Sequence, residues 1–405
     1  MRASKAGASR RILIGVTIDD SLQFHTGLPE ALVSDGWDVH VVSGPGRRLE
    51  SLRSTRGVTV HPLVMKREPD AVRDLIALWR WIRLIHRIRP GVTLIGTPKA
   101  ALLGTLAARA CRVPFRVYEL LGLRMETSQG SARALYRAME WLTASSAHEV
   151  IAVSESLRQL AIELGITSKA TSRVLGSGSC NGVDTERFRE MAGDMGRTEM
   201  LAAELALETR TPVVGFVGRL TRDKGLPELA RAMEILSDLG VSVQLLIVGT
   251  VDDESGTQAL EQLKRTGQTI VVAGYQDDVA PFYALMDVFC LPSLREGMPN
   301  VILESMASRR IVVATNATGS RDLVEDGVSG LLVPLGSPVE LANALRNAIV
   351  DRSASERMIE SALEMVKSRF ETRTVQQSIR TFLLEREFEV PRGYRVKAQS
   401  AHGRR

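Results

Sequence analysis

Leu291-Pro-Ser-Leu-Arg-Glu-Gly-Met-Pro-Asn-Val-Ile-Leu-Glu-Ser-Met-Ala307 follows directly on an apolar run, Asp287-Val-Phe-Cys-Leu291, that reads as a buried strand. Pro292 and Ser293 end the strand, and Gly297 with Pro299 marks a tight turn. Pro299 suits a helix start, where its fixed φ costs nothing. From Asn300 onward Val301, Ile302, Leu303, Met306 and Ala307 are apolar almost all round, which predicts a largely buried helix. Glu304 sits inside it, and a carboxylate among such neighbours is expensive without a partner. Glu296 lies in the turn itself. The free N–H groups and dipole of the helix start suit an anionic or polyol ligand. Glu304 suits hydroxyl recognition, and Glu296 stands where a reacting group can sit. Taken alone, the pair also reads as a local cap or bridge at Glu304 and a solvated Glu296, so the neighbouring stretches decide.

About seventy residues upstream stands Gly215-Phe-Val-Gly-Arg-Leu-Thr-Arg-Asp-Lys-Gly225. It reads as a strand end, a cationic loop and a helix start, placing Arg219 and Lys224 at the carboxyl end of a strand. A planar guanidinium fork and an ammonium point charge together suit a diphosphate. The bland alternative pairs Arg219 with an acid and leaves Lys224 solvated. Downstream, Ala317-Thr-Gly-Ser-Arg-Asp322 is another glycine turn after a strand, able to offer backbone N–H groups to an oxyanion.

These pieces belong to a longer alternation. Strands at Pro212–Val217, Val243–Val248, Thr269–Val272, Val288–Leu291, Ile311–Ala314 and Gly330–Val333 alternate with helical runs. The first half shows the same rhythm, with strands at Ile12–Val16, Asp38–Val42, Val58–Pro62, Val92–Ile95, Phe115–Tyr118 and Glu149–Val153. Such alternation predicts parallel sheets built from βαβ units, here two doubly wound α/β halves facing across a cleft. Ligands of such sheets bind at the carboxyl ends of strands. Neither first strand is followed by Gly-x-Gly-x-x-Gly, which disfavours a dinucleotide oxidoreductase.

Between the strands, Thr97 reads as an N-cap and Pro98 as the first residue of a helix. Asp70 to Arg89 is a strong helix with Val72, Leu75, Ile76, Trp79, Ile82 and Ile85 on one face and Arg73, Arg80, Arg83 and Arg87 on another. It reads either as a helix packed on a sheet with solvated arginines or as a membrane-surface helix.

The chain has 405 residues, 44% hydrophobic and 24% charged, which is too long for one ordinary core. Its three cysteines, Cys111, Cys180 and Cys290, are far apart and support neither a disulfide scaffold nor a zinc site. The first eleven residues contain charges but no apolar core of signal-peptide length, and no apolar run approaches the ~18 residues of a membrane span. The net charge of +5 belongs to the ends: residues 1–11 and 392–405 hold nine cations and no acid, and the rest carries −4. The tails read as disordered, either solvated or touching anionic lipid. Aromatic residues make up 4%, and no folded basic stripe marks a nucleic-acid module. The expected organisation is a basic tail at 1–11, an acceptor domain at 12–185, a connection at 186–210, a donor domain at 211–371, a helix at 372–389 crossing back to the first domain, and a basic tail at 390–405.

With these motifs in place, the sequence resembles retaining GT-B glycosyltransferases of family 4. The resemblance rests on Gly218-Arg219 with Asp223-Lys224-Gly225, on Glu296-x7-Glu304, and on Gly319 before Glu325-x-Gly327-x-x-Gly330. It covers about residues 12–385. Gly96-Thr-Pro-Lys-Ala100, Glu119-Leu-Leu-Gly-Leu-Arg-Met-Glu-Thr127 and Gly176 to Asp184 look like the bacterial branch that builds capsule, O-antigen and exopolysaccharide repeats.

The resemblance implies transfer of a sugar from a nucleoside diphosphate sugar, with a UDP sugar expected, to a polyprenyl-diphosphate-linked sugar. The enzyme would be cytoplasmic and peripheral on the inner face of the plasma membrane. Arg219 and Lys224 would hold the diphosphate beside Gly218. Glu304 would bind ribose. Glu296 and the N–H groups of Gly297, Met298, Pro299 and Asn300 would form the sugar site (Pro299 itself lacks an N–H), with Gly319 nearby. Thr97, Lys99, Arg124 and Glu126 are acceptor-side candidates. A histidine that many relatives carry in a first-domain loop is replaced here by Leu121. No Asp-x-Asp motif stands at a suitable strand end, so no metal or other cofactor is expected. A nucleotide-sugar epimerase of the same fold and a non-enzymatic subunit partnering an active transferase are the alternatives.

Overall fold

The computed structural model describes residues 10–66 and 70–387. The expectations for the basic tails fall outside the described residues, except at Arg10 and Arg11. Two compact units are present. The first draws its described residues from Met1–Glu119, Met139–Ile151 and Gln377–Arg405, and the second from Leu120–Ala138 and Ala152–Gln376.

One sheet has seven strands: β1 (Arg11–Gly15), β2 (Asp38–Ser43), β3 (Val58–Pro62), β4 (Val92–Gly96), β5 (Phe115–Leu120), β6 (Glu149–Ala152) and β7 (Ser172–Arg173), in the order β3-β2-β1-β4-β5-β6-β7. The other has six: β8 (Val213–Val217), β9 (Gln244–Val248), β10 (Thr269–Gly274), β11 (Val288–Leu291), β12 (Ile311–Thr315) and β13 (Leu331–Val333), in the order β10-β9-β8-β11-β12-β13. The helices around the first sheet are α1 (Leu28–Ser34), α2 (Arg47–Leu52), α3 (Ala71–Ile88), α4 (Pro98–Ala110), α5 (Gly130–Ser146) and α6 (Glu155–Glu163). Then come α7 (Thr185–Gly193), α8 (Met195–Glu204), α9 (Leu226–Asp238), α10 (Glu254–Leu263), α11 (Ala280–Tyr283), α12 (Asn300–Ala307), α13 (Pro338–Val350), α14 (Arg352–Arg369) and α15 (Thr372–Glu387). β4, β8, β9, β11 and β12 are buried along their whole length, as parallel strands covered by helices on both faces must be. The doubly wound parallel architecture expected from the alternation is present in both sheets.

Topology fixes where a site can form. β1 pairs in parallel with β2 on one side and β4 on the other, and β8 likewise with β9 and β11. The chain therefore winds outward in both directions from β1 and from β8. In open α/β sheets ligands bind at such reversal points, so the loops leaving the carboxyl ends of β1 and β4, and of β8 and β11, are where a site is expected.

Two sequence expectations need correction. Thr97 does not cap α4 with its side chain. Its hydroxyl instead accepts from Thr17 N at 2.8 Å, while Thr17 Oγ1 accepts from Ala100 N at 3.1 Å. The cap has passed to a residue on the neighbouring loop because Thr97 sits at φ +61°, outside the extended backbone of a capping residue. In α3 the buried side chains are Ala77, Trp81, Ile85 and Ile88, not the whole apolar set read from the sequence. Val72, Leu75, Ile76 and Trp79 lie exposed on the opposite side. Trp81 fills the space over Gly15 and hydrogen-bonds Met65 Sδ at 3.4 Å, which anchors α3 by that side.

The last helix carries a testable contact within the first unit. Arg380 forks onto Asp35 at 2.7 and 2.6 Å, and this bond holds the Asp35 carboxyl below the usual carboxylate range. Folding thus favours ionised Asp35. The stabilisation is complete above the unfolded pKa of about 3.9 and is lost as pH falls through the lower folded value. Arg380→Ala is expected to lower unfolding free energy by about 1 kcal/mol at neutral pH. The deficit should shrink in acid, as read from denaturant titrations across pH.

Candidate functional site

The reversal point of the second sheet gathers the residues singled out in the sequence. β8 delivers Gly218, Arg219 and, through a short 3-10 turn at Arg222–Lys224, the ammonium of Lys224. β11 delivers Ser293 and Glu296. Lys224 Nζ meets Glu296 Oε1 at 2.6 Å, and Ser293 Oγ donates to the same oxygen at 2.6 Å. Lys224 is 20% and Glu296 11% exposed, so neither is the solvated side chain of the bland reading. Three donors on the ammonium leave Lys224 able to take further acceptors. Arg219 is paired with Asp252, as one sequence reading allowed, and remains largely exposed.

The loop after β11 is held by contacts that no sequence motif announces. Arg295 pairs with Asp223 and donates to Thr127 Oγ1 at 3.0 Å, and Leu294 N bonds Asp223 O at 2.8 Å. Thr315 Oγ1 donates to Ser293 O. Ser154, which caps α6, also donates to Gly297 O at 2.7 Å. Ser156 holds Asp322 through its backbone N–H and its hydroxyl, and that hydroxyl accepts from Gly319 N at 2.8 Å. Gly297 and Gly319 are glycines for want of room. A Cβ on Gly297 would lie 1.9 Å from Leu121 O, and one on Gly319, itself at φ +79°, would lie 2.2 Å from Gly297 O. Leu121 therefore meets this loop through its carbonyl.

Pro299 leads into α12 with a φ of −76°, which suits a helix entry, and its side chain makes no capping bond. Met298 is buried. One turn in, Glu304 accepts from Tyr283 OH at 2.9 Å. Burial raises the Glu304 carboxyl above its usual pKa, against the opposing pull of Tyr283 and of Arg187. Tyr283 packs edge-on against Phe188 of α7 and Phe289 of β11, which fixes the phenol. Tyr283 and Glu304 are 21 positions apart, and nothing between them signals this pairing.

The four acceptor-side candidates divide. Glu126 comes to the second-unit site: Thr318 Oγ1 donates to its Oε2 at 2.6 Å, and its buried Oε1 has no hydrogen-bond partner among the described residues. Burial pushes its pKa up, opposed by Thr318, Arg295 and Arg321 and reinforced by the charge of Glu296. Arg124 is exposed, its guanidinium 5.8 Å from the Tyr136 ring. Thr97 and Lys99 belong to the first unit, at the reversal point between β1 and β4. There Lys99 is buried and bonds Asp74 at 2.7 Å. Close by in chain order, at the end of β5, Glu119 meets His25 Nε2 at 2.7 Å with both side chains buried, a pair the sequence did not disclose.

The chain matches the family model "Glycosyl transferase 4-like domain" over residues 26–175 and "Glycosyl transferases group 1" over residues 211–351. It is 32% identical over 384 residues to the capsular polysaccharide biosynthesis glycosyltransferase CapM of Staphylococcus aureus, spanning 94% of this chain and 99% of that one. The chain belongs to the group 1, GT4-like glycosyltransferases. This glycosyltransferase is also 26% identical to the Escherichia coli UDP-Gal:alpha-D-GlcNAc-diphosphoundecaprenol alpha-1,3-galactosyltransferase, over 71% of this chain and 73% of that one. Among solved structures, Anabaena Alr3699/HepE in complex with UDP-glucose superimposes with a TM-score of 0.76 at 21% identity, covering 93% of this chain and 99% of that one. That likeness shows the GT-B fold expected from the motifs. Among the described residues of the glycosyltransferase, no helix is long and apolar enough to cross a membrane.

Proposed function

We propose that this glycosyltransferase moves a sugar from a UDP sugar, with retention of anomeric configuration, to a polyprenyl-diphosphate-linked sugar in surface polysaccharide synthesis. It would work at the cytoplasmic face of the plasma membrane. The observation that carries the reading is the Lys224–Glu296–Ser293 cluster at the β8–β11 reversal point, beside the uncapped start of α12. Lys224 and Arg219 supply positive charge where the diphosphate would gain negative charge as its bond to the anomeric carbon breaks. Glu304, with Oε2 held by Tyr283, takes the ribose hydroxyls. Glu296 and the N–H groups at Gly297, Met298 and Asn300 take the donor sugar, with Gly218 and Gly319 as close backbone walls. On this reading protein cations and a helix dipole do the work otherwise given to a metal ion, and no cofactor takes part. Thr97, Lys99, Arg124 and Glu126 remain the acceptor-side candidates. The relatives support the chemical class: one is named for a capsular polysaccharide, and another for a UDP-linked donor and a diphosphoundecaprenol acceptor.

The test is proton NMR of the product made from UDP sugars and a lipid-linked acceptor. An anomeric coupling matching that of the donor supports retention. The opposite anomer overturns it, and donor conversion without acceptor points to an epimerase.

A further inference from the structure

The outward side of α3 is unusual for a helix that already has a core face. Val72, Leu75, Ile76 and Trp79, spaced as one helical stripe, are 68, 67, 47 and 57% exposed. They lie opposite the buried Ala77, Trp81, Ile85 and Ile88. Scattered exposed apolar residues need no explanation, but a contiguous stripe marks an interaction site. Arg73, Arg80, Arg83 and Arg87 are exposed along the same helix, and the Arg83 guanidinium lies 5.5 Å from the Trp79 ring centroid. The one acid of α3, Asp74, is bonded to buried Lys99. The exposed side therefore presents an apolar first half, a cationic second half and no unpaired carboxylate.

That arrangement fits an anionic lipid surface better than a protein groove. Aliphatic side chains enter the boundary between headgroups and acyl chains, an amphipathic Trp sits at that boundary, and guanidinium groups meet lipid phosphates. We propose that the outward face of α3 is the surface by which the glycosyltransferase docks on an anionic bilayer. The proposal deepens the reading above, and rests on it only for the membrane-held acceptor that docking would bring within reach. The inner side of the same helix leads there: Asp74 holds Lys99 in the first turn of α4, beside Thr97 at the first sheet's reversal point.

The test is flotation of the full chain with vesicles of phosphatidylcholine alone and of phosphatidylcholine mixed with phosphatidylglycerol. The wild-type protein is expected to float with the mixed vesicles only. Leu75→Ser/Trp79→Ser should lower the partition coefficient at least about tenfold, and Arg80→Gln/Arg83→Gln/Arg87→Gln should do the same and flatten the salt dependence. All five positions are on the outward side, so folding should survive, and unchanged UDP binding by the variants checks this. UDP binding also separates the two readings. A protein that floats through α3 but binds no UDP keeps the docking surface and loses the donor reading; one that binds UDP but does not float loses the docking surface. Undiminished flotation of Leu75→Ser/Trp79→Ser overturns the proposal by placing the lipid contact elsewhere. So does a concentration-dependent dimer that this variant abolishes, because a second copy would then cover the stripe.

Discussion

Lys224→Ala is expected to lower kcat by about a hundredfold or more, equivalent to ~3 kcal/mol of lost transition-state stabilisation. Lys224 is far more enclosed than Arg219 at the β8–β11 reversal point, and its ammonium sits 2.6 Å from Glu296. Without it, Glu296 keeps the Ser293 hydroxyl but loses its counter-charge, so a diphosphate would meet an uncompensated carboxylate as well as a missing donor. Arg219→Ala is expected to reduce kcat by the same order. Arg219 is more exposed and shares its charge with Asp252, so its removal should disturb the resting fold less than that of Lys224. Single-turnover rates for both variants, alongside melting curves, separate lost chemistry from lost folding. Wild-type rates in both would remove the assigned role of the cluster.

Gly297→Ala is expected to damage both stability and turnover, although it adds a single methyl group. The new Cβ would lie 1.9 Å from Leu121 O and 2.7 Å from Leu121 C, backbone atoms that cannot swing aside as a side chain can. Overpacking of this kind costs about 1–3 kcal/mol. The loop can relieve the clash only by shifting, and the same loop carries Glu296 and leads into α12. A displacement near 1 Å of positioned groups reduces rates by about a hundredfold. Ser154 and Gly319 both abut Gly297 O, so the shift would spread to the turn at Ser320–Asp322. Gly193→Ala is the control: nothing lies within 4 Å of a Cβ there, and stability should stay within about 0.5 kcal/mol of wild type.

Much of the fold was legible because parallel strands buried on both faces must be short apolar runs, and runs such as Val213–Val217 and Val288–Leu291 can be little else. The cationic loop after β8 and the acid-bearing loop after β11 were legible as separate motifs. The resemblance brought them into one donor site, but the direct pairing of Lys224 with Glu296 was not legible in either motif, since it depends on the strand order that sets β8 beside β11. The same limit hid the supporting groups. Thr318 and Glu126 are 192 positions apart, and Ser154 and Gly297 are 143 apart. No local pattern carries pairings at that range. α3 shows a different limit. Its sequence is apolar on two sides, so periodicity reports amphipathic character without saying which side finds the sheet. Trp81 over Gly15 decides it. Thr97 shows a third, because a good capping residue type cannot reveal that its φ is positive and that Thr17 has taken the cap.

The most direct measurement is a calorimetric titration of the full chain with UDP in EDTA, with GDP and ADP for comparison and Lys224→Ala as the control variant. A UDP site built from Lys224, Glu296, Glu304 and the start of α12 should bind UDP selectively without metal, and Lys224→Ala should weaken binding at least about tenfold. Failure to bind UDP in either EDTA or Mg²⁺, or affinity unchanged by Lys224→Ala, would contradict the site. Binding that appears only with Mg²⁺ would contradict the metal-free reading.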